Sequence, residues 1–428
     1  MPLHLPFRIQ SIEDLAIPAV SLLIIFLAYT SQYLFYYIEP APLQGPEFWW
    51  FNAFVLAIWW CYERACSVDP GPKGWVEKVT SDGSEDEEDD IERERDVKLG
   101  KGIRWCKKCK AVKPPRAHHC TKCQRCIPKM DHHCPWTSNC VSHTNFPHFL
   151  RFVLYAVISI SILDYHLFIR ASSIWDSRDL PAYLGPPIWA MAYLLVLLIV
   201  NNFTLFTLSV LLIRATYSLG ANTSQIESWE IERHEALVER AKKMGGYVYA
   251  NGGQRMRIER QEFPYDIGIW NNLCQGMGTS NVLMWFMPFG GAPDIKDAAD
   301  WEVNGFEEED KTWPPPDPDK MPRTNHTLGE SAVLREYGSV EEEKEAFKRR
   351  QRDDYAKRNG ESRGDEGDND EIDYESEYEE GMDGQEGWTN SDGDRLRDYG
   401  VDEEEEVLSE DEIPLGELLR RRKTRAHE

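Results

Sequence analysis

Seven of the ten cysteines fall between Cys106 and Cys140, and this density constrains the fold more than any other feature. In a reducing compartment such a cluster is stable only if something ligates it. Cys106-Lys107-Lys108-Cys109 and Cys120-Thr121-Lys122-Cys123 have the two-residue spacing of a metal knuckle. Thiolates and imidazoles in sets of four suit zinc in closed tetrahedral sites. With Cys134 set aside, six cysteines remain, too many for one site. Spacing alone does not say how the others are shared, or whether His118 or His119 joins them.

Cys134 stands apart because it ends Asp131-His132-His133-Cys134. A free thiol has a pKa near ~8.5 and is only slightly ionised at neutral pH, so a nucleophilic cysteine needs a base or cation beside it. His132 can supply the base, and Asp131 can orient the imidazole and stabilise its charged form. The block therefore carries the parts of a Cys-His nucleophile.

Mean hydropathy of −0.52 and a net charge of −25 average an apolar first part with a polar tail. Residues 15–38 and 188–213 carry no formal charge and are long enough to cross a ~30 Å hydrocarbon core at ~1.5 Å per residue. Residues 48–62 are short for a span and need Glu63 and Arg64 to reach the interface, with Trp49, Trp50, Trp59 and Trp60 as an aromatic belt. Residues 152–169 are interrupted by Asp164, which should face the bundle interior or lie near the interface. Four spans are expected. The first is too long for a secretory signal and has no small-residue cleavage site after it, so it should be retained. Lys and Arg residues between 67 and 147, against one arginine in 171–187, put both termini and the cysteine block in the cytosol. On that topology Asn202-Phe203-Thr204, Asn222-Thr223-Ser224 and Asn325-His326-Thr327 are chance glycosylation triplets.

Residues 221–290 carry enough aromatics to fold, among them Trp229, Phe263, Tyr265, Trp270, Trp285 and Phe286. From 291 the chain is rich in Pro, Asp, Glu and Gly, so composition predicts a disordered tail. Ser81–Asp90 is a smaller acidic insert. The terminal Arg420-Arg421-Arg422-Lys423 suits anionic headgroups or the neighbouring acidic stretch. The expected fold class is an α-helical integral membrane protein. It has four transmembrane helices, a cytosolic zinc-binding cysteine-rich domain between the second and third, and a disordered acidic C-terminal tail. Expected boundaries are 1–66 with two helices, a 67–103 linker, the 104–149 zinc domain, 150–213 with two more helices, a 214–290 cytosolic domain and the 291–428 tail.

Residues 104–149, with Cys106-x2-Cys109, His118-His119-Cys120-x2-Cys123-x2-Cys126, Asp131-His132-His133-Cys134-Pro135-Trp136 and Asn139-Cys140, resemble the cysteine-rich domain of the DHHC-type protein S-acyltransferases, the palmitoyltransferases. Asp69-Pro70-Gly71 looks like the family's motif after the second span, Thr223 to Glu227 sits where it carries Thr-Thr-x-Glu, and Asn272 falls in its C-terminal Asn-containing motif. The resemblance covers roughly residues 15–290. It implies that Cys106, Cys109, His119 and Cys126 hold one structural zinc, and Cys120, Cys123, His133 and Cys140 a second. It also implies that Cys134 takes a long-chain acyl group from acyl-coenzyme A, with His132 and Asp131 assisting, and passes it to cysteines of cytosol-facing proteins near the membrane. Trp136 is a candidate to cap an acyl cavity. Lys107, Lys108, Lys110, Lys113, Arg116, Lys122, Arg125 and Lys129 are candidates for the coenzyme phosphates.

Two positions depart from the family pattern. Gln225 replaces the second threonine of Thr-Thr-x-Glu, and Ser142 stands where glycine is common. Cys61, Cys66 and Cys274 are expected to be free thiols. A zinc-ribbon module for nucleic acid is disfavoured by the spans and the acidic balance, so no nucleic-acid partner is expected. A non-catalytic membrane scaffold has no use for a thiol with a base beside it. The short second span and the lack of ankyrin repeats resemble fungal members of the endoplasmic reticulum, with the Golgi membrane as alternative.

Overall fold

The computed structural model describes residues 15–82, 104–179, 185–249, 255–306 and 388–402, with scattered residues at 181, 183, between 311 and 320, at 348 and at 406–407. The chain divides into two compact units. The first takes Met1–Val248, Arg257–Asp317 and Thr389–Glu428; the second takes Tyr249–Met256 and Pro318–Trp388, where few residues are described. The long apolar helices and the cysteine block lie wholly in the first unit.

Among the described residues, three helices are long and apolar enough to cross a membrane: α1 (Ala16–Leu34), α4 (Phe146–Asp176) and α5 (Ile188–Ala221). The helix α2 (Pro46–Ser67) has 22 residues. It covers the stretch 48–62 where a span is expected but is not among the helices apolar enough to cross, since its ends reach past the apolar stretch and include Glu47, Glu63 and Arg64. Its buried Phe51, Val55, Ile58, Tyr62 and Ala65 recur at helical spacing along one face. Phe51 and Val55 join Leu27 and Leu34 of α1, Ile160, Leu163 and Leu167 of α4, and Leu194 and Leu197 of α5 in one core. Within α1, Phe26–Thr30 forms a π-turn, where the Thr30 and Ser31 hydroxyls bond back to the Phe26 and Leu27 carbonyls.

Polar side chains tie the helices together. Gln32 and Asn52 exchange amide bonds of 3.2 and 3.1 Å between α1 and α2, and the Tyr193 hydroxyl donates to Thr30 at 2.6 Å. Asp164, expected inside the bundle or near the interface, accepts from Asn201 at 3.2 Å and from Asn202 at 2.9 Å, both on α5. At the far end of α4, Arg170 donates to the carbonyls of Pro40 and Ala41 and holds the α1–α2 loop.

Among the described residues between α2 and α4 lie the short helix α3 (Trp75–Asp82) and three small antiparallel pairs. They are β1 (Trp105–Cys106) with β2 (Ala111–Val112), β3 (His118–Cys120) with β4 (Arg125–Ile127), and β5 (His132–Cys134) with β6 (Asn139–Val141). After α5 come α6 (Gln225–Lys243), α7 (Ile269–Met277) and α8 (Val282–Phe286). A second core gathers Trp75, Val76, Ala111, Ala117, Tyr265, Ala298, Trp301 and Trp313 around Cys106 and Cys126.

That core corrects the boundary drawn at 291. Ala298, Trp301 and Trp313 are buried, so the chain is packed here where composition predicts disorder. Burying one Trp removes ~200 Å² from water, roughly 4–5 kcal/mol, which offsets the ordering of a few residues at ~1–2 kcal/mol each. A second exception lies at Thr389–Asp402, where Leu396, Tyr399 and Val401 are buried. Most of the insert at 81–90, Asn325-His326-Thr327, most of the rest of the tail and Arg420–Lys423 lie outside the described residues.

Candidate active site and metal centres

Strand periodicity sorts the ligand-type residues. Successive side chains in a strand point to opposite faces, so adjacent His119 and Cys120 on β3 serve different clusters. Register does the rest: His119 faces Cys126 across β3–β4, and His133 faces Cys140 across β5–β6. The first cluster is Cys106, Cys109, His119 and Cys126; the second is Cys120, Cys123, His133 and Cys140. In the first, the three sulfurs lie 3.4, 3.4 and 3.8 Å from His119 Nδ1. In the second they lie 3.6, 3.6 and 3.5 Å from His133 Nδ1. A tetrahedral ion with ~2.3 Å bonds to sulfur and ~2.0 Å to nitrogen separates a sulfur from a nitrogen by about 3.5 Å and two sulfurs by about 3.8 Å, so both donor sets fit zinc.

The two knuckles are built alike. Cys109 N–H donates to Cys106 Sγ and Cys123 N–H to Cys120 Sγ, each at 3.3 Å. The next residues, Lys110 and Gln124, both take φ of 54°. His118 is buried and its Nε2 lies 3.8 Å from Glu230 Oε1. It is His119 that enters the first cluster.

The same alternation on β5 turns His133 into the second cluster and leaves His132 and Cys134 together on the other face. His132 Nδ1–H donates to Asp131 Oδ2 at 2.8 Å, which leaves Nε2 for the thiol. Burial would push the His132 imidazole down, but its hydrogen bonds with Asp131 and Cys134 hold it up at about 10. Burial likewise opposes ionisation of Cys134, yet His132 brings the thiol below its ordinary value. Cys134 is 5 % exposed and packs against Ala65 of α2 and Phe149 and Val153 of α4, with Leu211 and Leu212 of α5 in the same cluster. The thiol therefore sits where the cysteine block meets the apolar helices. Trp136, two residues on, is 60 % exposed, and its carbonyl accepts from the Tyr62 hydroxyl at 2.8 Å.

Helix α6 supports Asp131 from behind. Ser224 caps it and accepts from Glu227 N–H, while Glu227 Oε2 accepts from Ser224 N–H, a reciprocal capping box. The first helical N–H, that of Gln225, donates to Asp131 Oδ1 at 2.8 Å, and the Gln225 amide reaches Asp131 Oδ2 at 3.3 Å. The positive end of the helix thus faces the carboxylate. Glu227 also receives a two-pronged bond from Arg116, Nε to Oε1 at 2.5 Å and Nη2 to Oε2 at 2.7 Å. Burial would raise the Glu227 carboxyl, but the Arg116 and Lys129 charges hold it below the usual range. The Arg116 guanidinium lies over Tyr265 and Trp301, 4.5 and 4.6 Å from the ring centroids.

The Asp69-Pro70-Gly71 turn locks α2 to the block. Ser142 Oγ donates to the Pro70 carbonyl and Thr144 Oγ1 to the Asp69 carbonyl, both at 2.8 Å, so the serine at 142 has a bond that glycine cannot make. A Cβ on Gly71 would meet Pro128 Cδ at 2.6 Å. Asn139 caps α2 by donating to the carbonyls of Ala65 and Val68 at 3.1 and 2.8 Å. Asn272 is fully buried and donates to the Gly220 carbonyl at 2.7 Å, tying α7 to the end of α5.

Several of the phosphate candidates have internal partners instead. Arg116 pairs with Glu227, Arg125 with Asp69 at 3.0 Å, Lys108 with Asp402 at 2.6 Å, and Lys129 donates to Asn222 at 2.5 Å. Sequence reasoning also missed Arg151 in the first turns of α4. Buried, it donates to the carbonyls of Met284, Trp285, Gly290 and Gly291 and anchors α8 and the segment after it. Its only signal is a cation at the head of an apolar helix.

Residues 100–232 match the DHHC palmitoyltransferase family. Over 97 % of its length the chain is 50 % identical to palmitoyltransferase pfa4 of Aspergillus fumigatus, 99 % of which is covered. It is 47 % identical to palmitoyltransferase pfa4 of Emericella nidulans, over 97 % of this chain and 98 % of the relative. It is 46 % identical to palmitoyltransferase PFA4 of Gibberella zeae, over 96 % of each. The chain belongs to the DHHC palmitoyltransferase family and is a membrane-embedded protein S-acyltransferase.

Proposed function

We propose that Cys134 is the residue that carries the acyl group, with His132 as its base and Asp131 as the group that orients His132. The observation that carries this reading is the 2.8 Å bond from His132 Nδ1 to Asp131 on the strand face shared with Cys134. The Cys134 thiolate attacks the thioester carbonyl of a long-chain acyl-coenzyme A. The carbon–sulfur bond to the coenzyme breaks, and the departing thiolate takes the proton held on His132. In the second half, His132 removes the proton from a cysteine of the substrate protein. That thiolate attacks the acyl group on Cys134 and releases the enzyme thiolate. One thioester replaces another at each step, and His132 is left ready for the next cycle.

Cys106, Cys109, His119 and Cys126 would hold one zinc ion, and Cys120, Cys123, His133 and Cys140 a second. Four protein ligands leave no open position, so the ions supply structure by fixing the strands that carry the nucleophile. The apolar cluster at Cys134, from α2, α4 and α5, supports an acyl chain held between helices. Each buried methylene contributes ~0.8 kcal/mol there. Trp136 caps the outer end of that path.

We assign α2 as the fourth span: 22 residues reach about 33 Å at ~1.5 Å per residue, with Glu63 and Arg64 at the interface. Both termini and the cysteine block then face the cytosol. Substrates are cytosol-facing proteins with cysteines near the bilayer. The short apolar part of α2 favours the thinner membrane of the endoplasmic reticulum over the Golgi. The test of this reading is acyl labelling of wild type against Cys134→Ser.

A further inference from the structure

Thr389 to Asp402 is acidic and polar, yet it is seated on the cysteine block. Its fold is partly self-made. Asp394 N–H donates to Asn390 Oδ1 at 2.7 Å, Leu396–Tyr399 form one 3-10 turn, and the Tyr399 hydroxyl donates to Asp394 at 3.0 Å. Leu396, Tyr399 and Val401 are buried. Past the turn, the chain runs as an added strand. Thr121 N–H donates to the Gly400 carbonyl at 2.9 Å, Asp402 N–H donates to the His119 carbonyl at 3.0 Å, and Val401 bridges Cys120. A last strand, β7 (Glu406–Val407), pairs with β1, Trp105 opposite Val407 and Cys106 opposite Glu406.

This segment touches both metal-binding clusters. Asp402 forms its 2.6 Å ion pair with Lys108, inside the Cys106–Cys109 knuckle of the first. Gly400, with φ of 84°, lies so close to the second that an added Cβ would sit 2.9 Å from His133 Cβ. His133 immediately precedes Cys134. Helix α6, which supports Asp131, is held too: Trp229 Nε1–H donates to the Asp394 carbonyl at 3.2 Å and Glu232 accepts from Ser391 N–H at 2.9 Å.

We propose that the outer edge of β1 and β3, with Lys108 and Trp229 beside it, is a docking surface for an acidic extended segment, and that its occupant is the chain's own Thr389–Asp402 with Glu406–Val407. Seated there, the tail acts as a strap that keeps both metal ions bound and His133 in place. Open strand edges take up extended chains through backbone bonds, and a segment that orders a ligand strand slows its local opening. The proposal rests on the two-zinc reading of the cysteine block.

The test uses the full-length protein in detergent. Gly400→Val forces a branched side chain into a positive-φ position against His133. Zinc release to a colorimetric chelator should become on the order of tenfold faster than in wild type. A fluorescent peptide of residues 389–407 should bind this variant and not the wild type, whose surface is occupied. As a milder pair, Lys108→Asp should also speed release, and Lys108→Asp with Asp402→Lys should restore it towards the wild-type rate. If wild type holds no zinc, the metal reading fails. If it holds two ions, but Gly400→Val releases them at the wild-type rate and binds no peptide, the strap is wrong. Should Gly400→Val not yield folded protein, failure of Lys108→Asp to speed release, or of the charge swap to slow it again, overturns the proposal.

Discussion

The backbone N–H of Gln225 donates to Asp131 Oδ1 at 2.8 Å, so the first residue of α6 holds the carboxylate that orients His132. This separates what is altered at position 225 from what is kept. The side chain departs from the family's threonine, but the backbone bond survives any residue with an N–H. Gln225→Thr should therefore change the autoacylation rate by less than about threefold, because the charge-assisted backbone bond remains. Gln225→Pro is the sharper variant. Proline is tolerated at the first helical position, and Ser224 before it is already extended, with φ of −88° and ψ of 169°. Helicity should survive, while losing a bond to a charged acceptor, ~1.5–3 kcal/mol, slows acylation about tenfold or more. An unchanged rate in Gln225→Pro would mean that the helix plays no part in the site.

The Arg116–Glu227 pair is nearly fully buried, at 0 % and 2 % side-chain exposure. Glu227→Ala leaves the guanidinium inside without its partner, and should destabilise the protein by ~3–5 kcal/mol. Thermal unfolding followed by size-exclusion fluorescence should show a clear downward shift. Arg116→Lys should fall in between, since an ammonium keeps the charge but loses the fork. A Glu227→Ala protein as stable as wild type would mean the pair is not structural.

Metal analysis of the purified protein should return two zinc ions per chain. Cys123→Ala should bring this towards one and lower expression, since it removes a ligand from the second cluster without touching the thiol of Cys134. A wild-type stoichiometry of one would break the division into two clusters.

His132→Ala removes the proposed base but leaves the thiol. Its acylation at neutral pH should be slow, by about 10²–10⁴-fold, and should rise with pH as the free thiol ionises near ~8.5. Wild type, whose thiol His132 already draws down, should show a flatter profile over the same range. A variant rate that stays flat with rising pH would mean that His132 does something other than generate thiolate.

Much of the site was legible in the residue pattern, because metal ligands and the Asp131-His132-His133-Cys134 run are contiguous and chemically distinctive. The division of ligands follows from strand alternation and register, which spacing alone does not fix. His119 and His118 are neighbours in sequence, and only the strand face separates them. Partners distant along the chain were not legible: Arg116 finds Glu227, and Asn139 finds the end of α2, through folding that no local pattern encodes. The tail failed for a different reason. An average over 291–428 is acidic and polar, and it hides Trp301, Trp313, Leu396, Tyr399 and Val401, few enough to vanish in composition yet buried in the structure.

Whether Cys134 carries the acyl group is tested most directly by labelling with a long-chain acyl-coenzyme A. Wild type should take up label in a hydroxylamine-sensitive thioester. Cys134→Ser should take up none while keeping both zinc ions and its elution profile, since the hydroxyl replaces the thiol without disturbing a ligand. A Cys134→Ser protein that labels as wild type does, through a hydroxylamine-sensitive bond, would place the acyl group on another cysteine and contradict the role assigned to Cys134.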